Sequence, residues 1–391
     1  MSTRELLMIP GPVEYLPEVL QAVGERSGSH VGREFIARFG CALKGLREIF
    51  RGRFAQPLVL AGSGTLAMEL AAANLVEPDD EVLVVNTGYF SDRMGLLLER
   101  HGARVTHLRP ATLGEVPPLG EIDAALAMRG RYKLVTVTQV DTSTGVLAPV
   151  EAIARRARAH GALILVDAVC AAAGEELRQD DWGLDAVVTA SQKALGVPPG
   201  LAIASIGPRA LEVHRARRSP VRAFYCDWSH WLAVHQAYER GELAYFATPP
   251  LNLINALQTS VGQILAEGME KRATRHRRMA QALRAAWRAL QLEAVPRREA
   301  QMAHTMSALY YPAGLDSSLL TRISEEGVVV AGGLHPALKA RYFRVGHMGA
   351  VGAQEILATA GAVGTALAKM GARVDPSAAV AAAEEALERS E

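Results

Sequence analysis

Between about Pro57 and Ile206 the chain alternates short, wholly apolar runs with longer stretches of helical period. PLVLA (57–61) is followed by LAMELAAANLV, EVLVVN (81–86) by SDRMGLLLERHG, and KLVTVTQ (133–139) by PVEAIARRARAHG, after which comes ALILVDA (162–168). Runs of Val, Ile and Leu without polar alternation predict strands buried on both faces, because a half-exposed strand shows a polar residue at every second position. Strands separated by amphipathic helices predict right-handed crossovers and a mainly parallel sheet, an α/β fold. LAIASI (201–206) is a further candidate strand.

The pattern then changes. Residues 254–293 carry a long helical period ending in KRATRHRRMAQALRAAWRAL, whose charges are expected mostly on a solvated helix face. MSALYY (306–311), GVVVAG (327–332) and YFRVG (342–346) predict strands, and an Ala-rich helix follows them. The expected division is an N-terminal arm over 1–16, a large domain over 17–265 and a smaller C-terminal α+β domain over 266–391. From about Asp375 the chain reads as an Ala/Glu-rich helical appendix without evident chemistry.

Composition narrows the function. With 42 basic and 41 acidic residues among 391 the formal charge is +1, so no basic excess points to nucleic acid or an anionic membrane. No run of about 18 apolar residues is present to span a bilayer, and MSTRELLMIPGP lacks the apolar stretch of a signal peptide. Cys41, Cys170 and Cys226 have neither metal-ligand spacing nor the number for a disulfide framework. No metal site is expected, and the compartment expected is the cytoplasm.

Three features carry chemistry. GSGT (62–65) lies between an apolar strand and a helix, where glycines permit a tight turn and the free N–H groups of a helix start attract an anion. Ser63 and Thr65 add hydroxyl donors. Alone, such a turn is more often plain strand–helix punctuation. It is not a dinucleotide fingerprint, because Ala67 fills the last glycine's place, and no Gly-Lys-Ser/Thr supports a P-loop. Asp167 ends the run ALILVD, at the strand end where open α/β sheets place ligands, although a helix cap or ion-pair partner reads equally well there. Lys193, in AVVTASQKALGVPPG, follows another apolar run, where an apolar pocket or a nearby cation lowers an amine's pKa and makes it a nucleophile. Together they match the needs of pyridoxal 5'-phosphate: donors for the phosphate, an anion for the pyridine nitrogen and an amine for the aldehyde. Phe90, in NTGYFSD, is a flat partner for the ring.

LAGSGTLAMEL, TSTGV, LVDAV, SQKALGVPPG, FYCDW, YFATPP and FRVG occur in an order that resembles the class V aminotransferases of fold type I, most closely the alanine–glyoxylate/serine–pyruvate branch. The likeness runs from PGPVEYLP (10–17) to RVGHMG (344–349). It implies a large domain with a mainly parallel, seven-stranded sheet and a smaller C-terminal domain. Lys193 resembles the lysine that forms the internal aldimine and shuttles the proton, and Asp167 the partner of the pyridinium nitrogen. Val169 and Phe90 correspond to the residues on the two ring faces, and Ser63, Gly64 and Thr65 to the phosphate loop, with Gln192 adding a polar contact. Thr142 resembles a residue near the ring's phenolic oxygen. Tyr245 and Thr248 resemble residues that reach the phosphate of the neighbouring subunit, which implies a homodimer with shared sites. Arg344 resembles the arginine that holds the substrate α-carboxylate, and the turn at Gly11 closes over it. Thr65 and Phe90 depart from the histidine and tryptophan of other members.

The resemblance implies ping-pong transamination from alanine or serine to glyoxylate or pyruvate, with small amino acids and 2-oxo acids as the only partners besides a second copy. Ureidoglycine or aminoethylphosphonate transamination, 3-hydroxykynurenine processing and cysteine desulfurase or lyase chemistry are alternatives within the family. A non-catalytic, aminotransferase-like binding module is the alternative from another class, and the presence of both Asp167 and Lys193 argues against it.

Overall fold

The computed structural model describes residues 5–128 and 132–389. Seven strands make the central sheet: β1 (Gln56–Gly62), β2 (Glu81–Val85), β3 (Arg104–Leu108), β4 (Leu134–Thr138), β5 (Leu163–Asp167), β6 (Ala186–Ala190) and β7 (Gly200–Ile206). Their order across the sheet is β1-β7-β6-β5-β4-β2-β3. All neighbours pair in parallel except β7, which runs antiparallel to both β1 and β6. β7 is therefore the LAIASI candidate, set inside the sheet in the opposite sense to the rest.

The apolar runs split between two cores. Val59, Leu83, Val135, Ile164, Val187 and Ile203 belong to one cluster. Leu58, Leu60, Val82, Val84, Leu134, Leu165, Val188 and Ala202 belong to the other. Successive strand residues point to opposite faces, so a strand needs an uninterrupted apolar run only when both faces are covered. Each fully buried Val or Leu contributes roughly 1.5–3 kcal/mol of transfer free energy. The edge strand β3, RVTHL, is only half-buried, and its mixed sequence gave no signal.

Helices α1 (Gly64–Leu75) and α2 (Tyr89–Arg100) leave the carboxyl ends of β1 and β2, and α3 (Val150–Ala159) precedes β5. The pattern at 254–293 is two helices, α4 (Leu251–Glu267) and α5 (Met269–Ala289), broken at Gly268, whose φ of +86° suits glycine. The basic stretch is only partly solvated. Lys271, Arg277 and Arg288 are exposed, but Arg272, His276 and Arg284 are buried. Arg272 pairs with Glu267 (2.7 Å) and donates to the carbonyls of Ala173 and Ala194, which ties α5 to the loops beside the site.

A second, three-stranded sheet is antiparallel in the order β8-β10-β9, from β8 (Met306–Tyr310), β9 (Ala331–Gly332) and β10 (Tyr342–Gly346). The run GVVVAG is thus divided: Ala331–Gly332 joins this sheet, whereas Val328–Val329 pairs in parallel with Leu6–Leu7 of the N-terminal arm. Helices α6 (Ala353–Lys369) and α7 (Pro376–Glu388) complete the region. The latter is not an appendage. Ala379, Ala383, Ala386 and Leu387 are buried in the cluster that includes Leu283, Phe343 and Val363, and Asp375 caps the helix by accepting from Ser377 N.

Candidate active site

The strands that run in the common direction deliver their carboxyl ends to one edge of the sheet, the usual ligand position in open α/β folds. Lys193 lies on the loop from β6 to β7, which their antiparallel pairing makes a hairpin. Ser191 Oγ donates to Pro198 O (2.8 Å) and accepts from Leu201 N (3.2 Å), while Val197 N donates to Ser191 O (3.0 Å). The lysine is 8% exposed, and its Nζ donates to the carbonyl of Pro10 from the arm. Burial pushes the ammonium pKa down and the nearby Arg344 cation adds to this, against opposing contributions from Cys170 and Asp167.

Asp167 is buried at the end of β5. Burial raises its pKa to about 7, against the hydrogen bond from Val169 N (3.0 Å) and the cations Lys193 and Arg93. A carboxylate so placed gains most from a cationic partner on its open side.

Ser63 precedes α1 without capping it, which leaves the first N–H groups of the helix free, and Ser63 and Thr65 are exposed. At Gly64 a Cβ would lie 3.0 Å from Val169 Cγ2 and 3.4 Å from Ala190 Cβ, so only glycine passes without displacing them. Gln192 Oε1 is buried without a hydrogen-bond partner among the described residues. Phe90 is the second residue of α2, with Arg93 of the same helix 4.9 Å from its ring centroid.

Asp141 carried no expectation, yet it organises one wall. Its Oδ2 accepts from Phe90 N (3.1 Å) and Ser91 N (3.3 Å), and its Oδ1 from Ser143 N (2.9 Å) and Ser143 Oγ (2.6 Å). Burial raises its pKa, and no cation is bonded to it among the described residues. The wall continues through Tyr342, whose hydroxyl donates to Ser143 O and accepts from Leu334 N (2.8 Å) and His335 N (2.9 Å).

Arg344, on β10, is anchored by Nε to Gly332 O (2.8 Å) and by Nη1 to Thr142 O (3.2 Å). Its Nη2 has no partner among the described residues, so one edge of the fork remains available to a carboxylate. Thr142 is buried, with its side chain against Cys170. Gly11, at φ +93°, packs on the lysine: a Cβ there would lie 2.6 Å from Lys193 Cδ and 3.0 Å from Gln192 O. Tyr245 and Thr248 stand apart. Both are exposed, their hydroxyls are 3.2 Å from each other, and among the described residues neither bonds to the cleft.

The strand-end carboxylate of Asp167 and the guanidinium of Arg344 thus both lie within electrostatic reach of the Lys193 amine, with the start of α1 packed beside them on Val169. The family model for class-V aminotransferases matches residues 13–351. The chain belongs to that family. It is 39% identical over 357 residues to alanine–glyoxylate aminotransferase 1 of Saccharomyces cerevisiae, covering 88% of this chain and 92% of the relative. L-aspartate–glyoxylate aminotransferase of Paracoccus denitrificans is 33% identical over 390 residues, covering 98% and 96%. Among solved structures, ureidoglycine–glyoxylate aminotransferase from Bacillus subtilis matches with a TM-score of 0.90 at 28% identity, covering 99% of each chain. The class-V member described here therefore has the fold type I architecture of pyridoxal-phosphate transferases and is an aminotransferase. Among its described residues no His, Cys, Asp and Glu cluster is placed to hold a metal ion, and no helix is long and apolar enough to cross a membrane.

Proposed function

We propose that the protein is a pyridoxal 5'-phosphate-dependent transaminase that moves the amino group of alanine or serine to glyoxylate or pyruvate in two half-reactions. The observation that carries this reading is the convergence of Asp167 and Arg344 on the buried amine of Lys193. The cofactor, when bound, supplies an electron sink for charge developing at the donor Cα. Asp167 would meet the ring nitrogen and keep it protonated. Val169 and Phe90 would bound the two ring faces, and the N–H groups after Ser63, with Thr65 and the Gln192 side chain, would hold the phosphate. Lys193, whose ammonium burial pushes toward the neutral amine, serves as nucleophile and as the base that takes the Cα proton. Arg344 grips the donor α-carboxylate and so fixes which Cα bond faces the lysine.

Support for a small monocarboxylic donor comes from the yeast relative and from the single free guanidinium edge at Arg344. Cysteine desulfuration is disfavoured by the thiols. Burial pushes Cys170 upward and Cys226 to about 11, so neither is a ready thiolate nucleophile. We also propose a homodimer. Phe224 (68% exposed), Leu243 and Tyr245 (60% each) leave apolar surface near Thr248, and a partner seated there would bring Tyr245 and Thr248 to its phosphate site.

The test is the visible spectrum of the purified protein with pyridoxal phosphate, before and after alanine, serine, aspartate or ureidoglycine. Bleaching by alanine or serine, with glyoxylate restoring the band, is expected. Protein that takes up no cofactor overturns the reading, and bleaching by aspartate or ureidoglycine alone replaces the donor.

A further inference from the structure

Arg93, in α2, bridges the two elements that the proposed function assigns to the cofactor. Its Nη1 donates to Thr65 Oγ1 (2.9 Å) on the phosphate loop, and its Nη2 to Tyr89 OH (3.2 Å). The guanidinium carbon lies 4.9 Å from the centroid of the Phe90 ring and 5.0 Å from that of Tyr89. Among the described residues it forms no ion pair, whereas the adjacent Asp92 is taken by Arg109 at 2.6 Å. This half-buried cation packs against two aromatic rings, acts on Asp167 at longer range, and meets the helix start through its hydrogen bond to Thr65.

The hydrogen-bond arithmetic of Thr65 gives this placement a purpose. A hydroxyl has one proton to donate and two lone pairs to accept with. Since Arg93 has no lone pair to offer, its bond to Thr65 Oγ1 occupies an acceptor site and leaves the Thr65 proton for an anion. The same guanidinium restrains the Phe90 ring through its π face. One side chain therefore sets the donor direction on the phosphate loop and the orientation of the stacking ring.

We infer that Arg93 is a positioning residue for the phosphorylated cofactor, acting through Thr65 and Phe90. This rests on the proposed function. It also corrects the sequence-level picture, in which Arg344 was the only arginine given a role.

The experiment measures the dissociation constant of pyridoxal phosphate, and its visible circular dichroism as a report of ring orientation, for the wild type, Arg93→Met, Arg93→Lys, Thr65→Ala and the Arg93→Met/Thr65→Ala double variant. Arg93→Met is expected to weaken binding about tenfold or more, the scale of a charge-assisted hydrogen bond, and to reduce the dichroic band. Arg93→Lys keeps the charge but not the planar fork, and should fall between. Thr65→Ala should match Arg93→Met, with the double variant little worse than either, because residues acting through one another are not additive. Unchanged cofactor affinity in both Arg93 variants overturns the inference, as does full multiplication of the two losses. A raised KM for the amino donor at unchanged cofactor affinity also overturns it, by placing the guanidinium in the donor's path. A wild-type protein that binds no cofactor overturns the proposed function itself, an outcome distinct from these. Should Arg93→Met not fold, Arg93→Lys and Thr65→Ala decide.

Discussion

Two regions meet at the cleft, and they are built differently. The floor comes from the carboxyl ends of β1, β2, β5 and β6, at or just beyond which stand Ser63, Phe90, Asp167 and Lys193, on a sheet with both faces buried. The opposite wall comes from the N-terminal arm and the small sheet, whose β9 has two residues and whose arm is joined by the short pairing of Leu6–Leu7 with Val328–Val329. The floor holds the groups that must not move relative to one another. The wall supplies Gly11, which packs on the lysine's flank, and Arg344, which the proposed function assigns to the donor carboxylate. The division predicts large, all-or-none losses from floor variants and graded losses in binding from wall variants.

The largest effect is expected at the floor. Lys193→Ala should lower turnover by at least about a thousandfold in a coupled assay of alanine and glyoxylate, since nucleophile and base are lost together. Retention of substantial turnover in this variant would break the comparison at its centre. At the wall, Arg344→Met should raise KM for the amino donor by about ten- to a hundredfold, with a smaller change in kcat, on the scale of a charged hydrogen bond. An equal fall in kcat with KM unmoved assigns Arg344 to the floor's role instead.

A pH experiment on cofactor-free protein sharpens the same contrast. Asp167 titrates near 7 in the fold and near 3.8 unfolded, so between those values the folded state holds the extra proton. Stability from this group is therefore present at low pH and is lost as pH rises from about 4 to 7. Asp167→Asn removes that loss, and its stability relative to the wild type should grow through this window by a few kcal/mol at most, at about 1.4 kcal/mol per unit. Denaturant melts at pH 4.5 and 8 measure it; a constant difference contradicts the burial of a free carboxylate. The smallest effect belongs to the packing behind the wall. Leu387→Ala should cost about 2 kcal/mol of stability, the low end for a truncated core leucine, with KM and kcat little changed. A change of several-fold in KM there shows that α7 reaches the cleft.

The sheet and most of the floor were legible because their signals are contiguous. ALILVD is a buried strand and a terminal carboxylate in six adjacent residues, and its burial follows from its composition alone. What escaped notice depends on long-range placement. Asp141, in VDTSTG, reads as an ordinary turn residue; only the fold brings Phe90 N and Ser91 N to it across about fifty positions. Arg93 reads as one exposed charge on an amphipathic helix, and becomes distinctive only when Thr65 and the aromatic rings surround it. The helix at 376–388 looked dispensable because alanine is weakly informative about burial. Its packing rests on a stripe, Ala379, Ala383 and Ala386 with Leu387, that admits close helix approach. The strand β3 was lost for the opposite reason, since an edge strand with Arg104 and His107 shows neither alternation nor an apolar run.

The reversed strand β7 has a consequence for motion. A parallel neighbour would have been reached through a long crossover, and the lysine would then have sat on a loop free to breathe with its helix. Here residues 191–199 are stapled at both ends by the β6–β7 ladder and across the middle by Ser191. The hairpin thus restrains the Lys193 backbone and leaves its amine to move by rotation about the side-chain bonds. In hydrogen-exchange terms the Val197 and Leu201 amides should belong to the slowest class in the molecule, opening only when the central sheet itself comes apart.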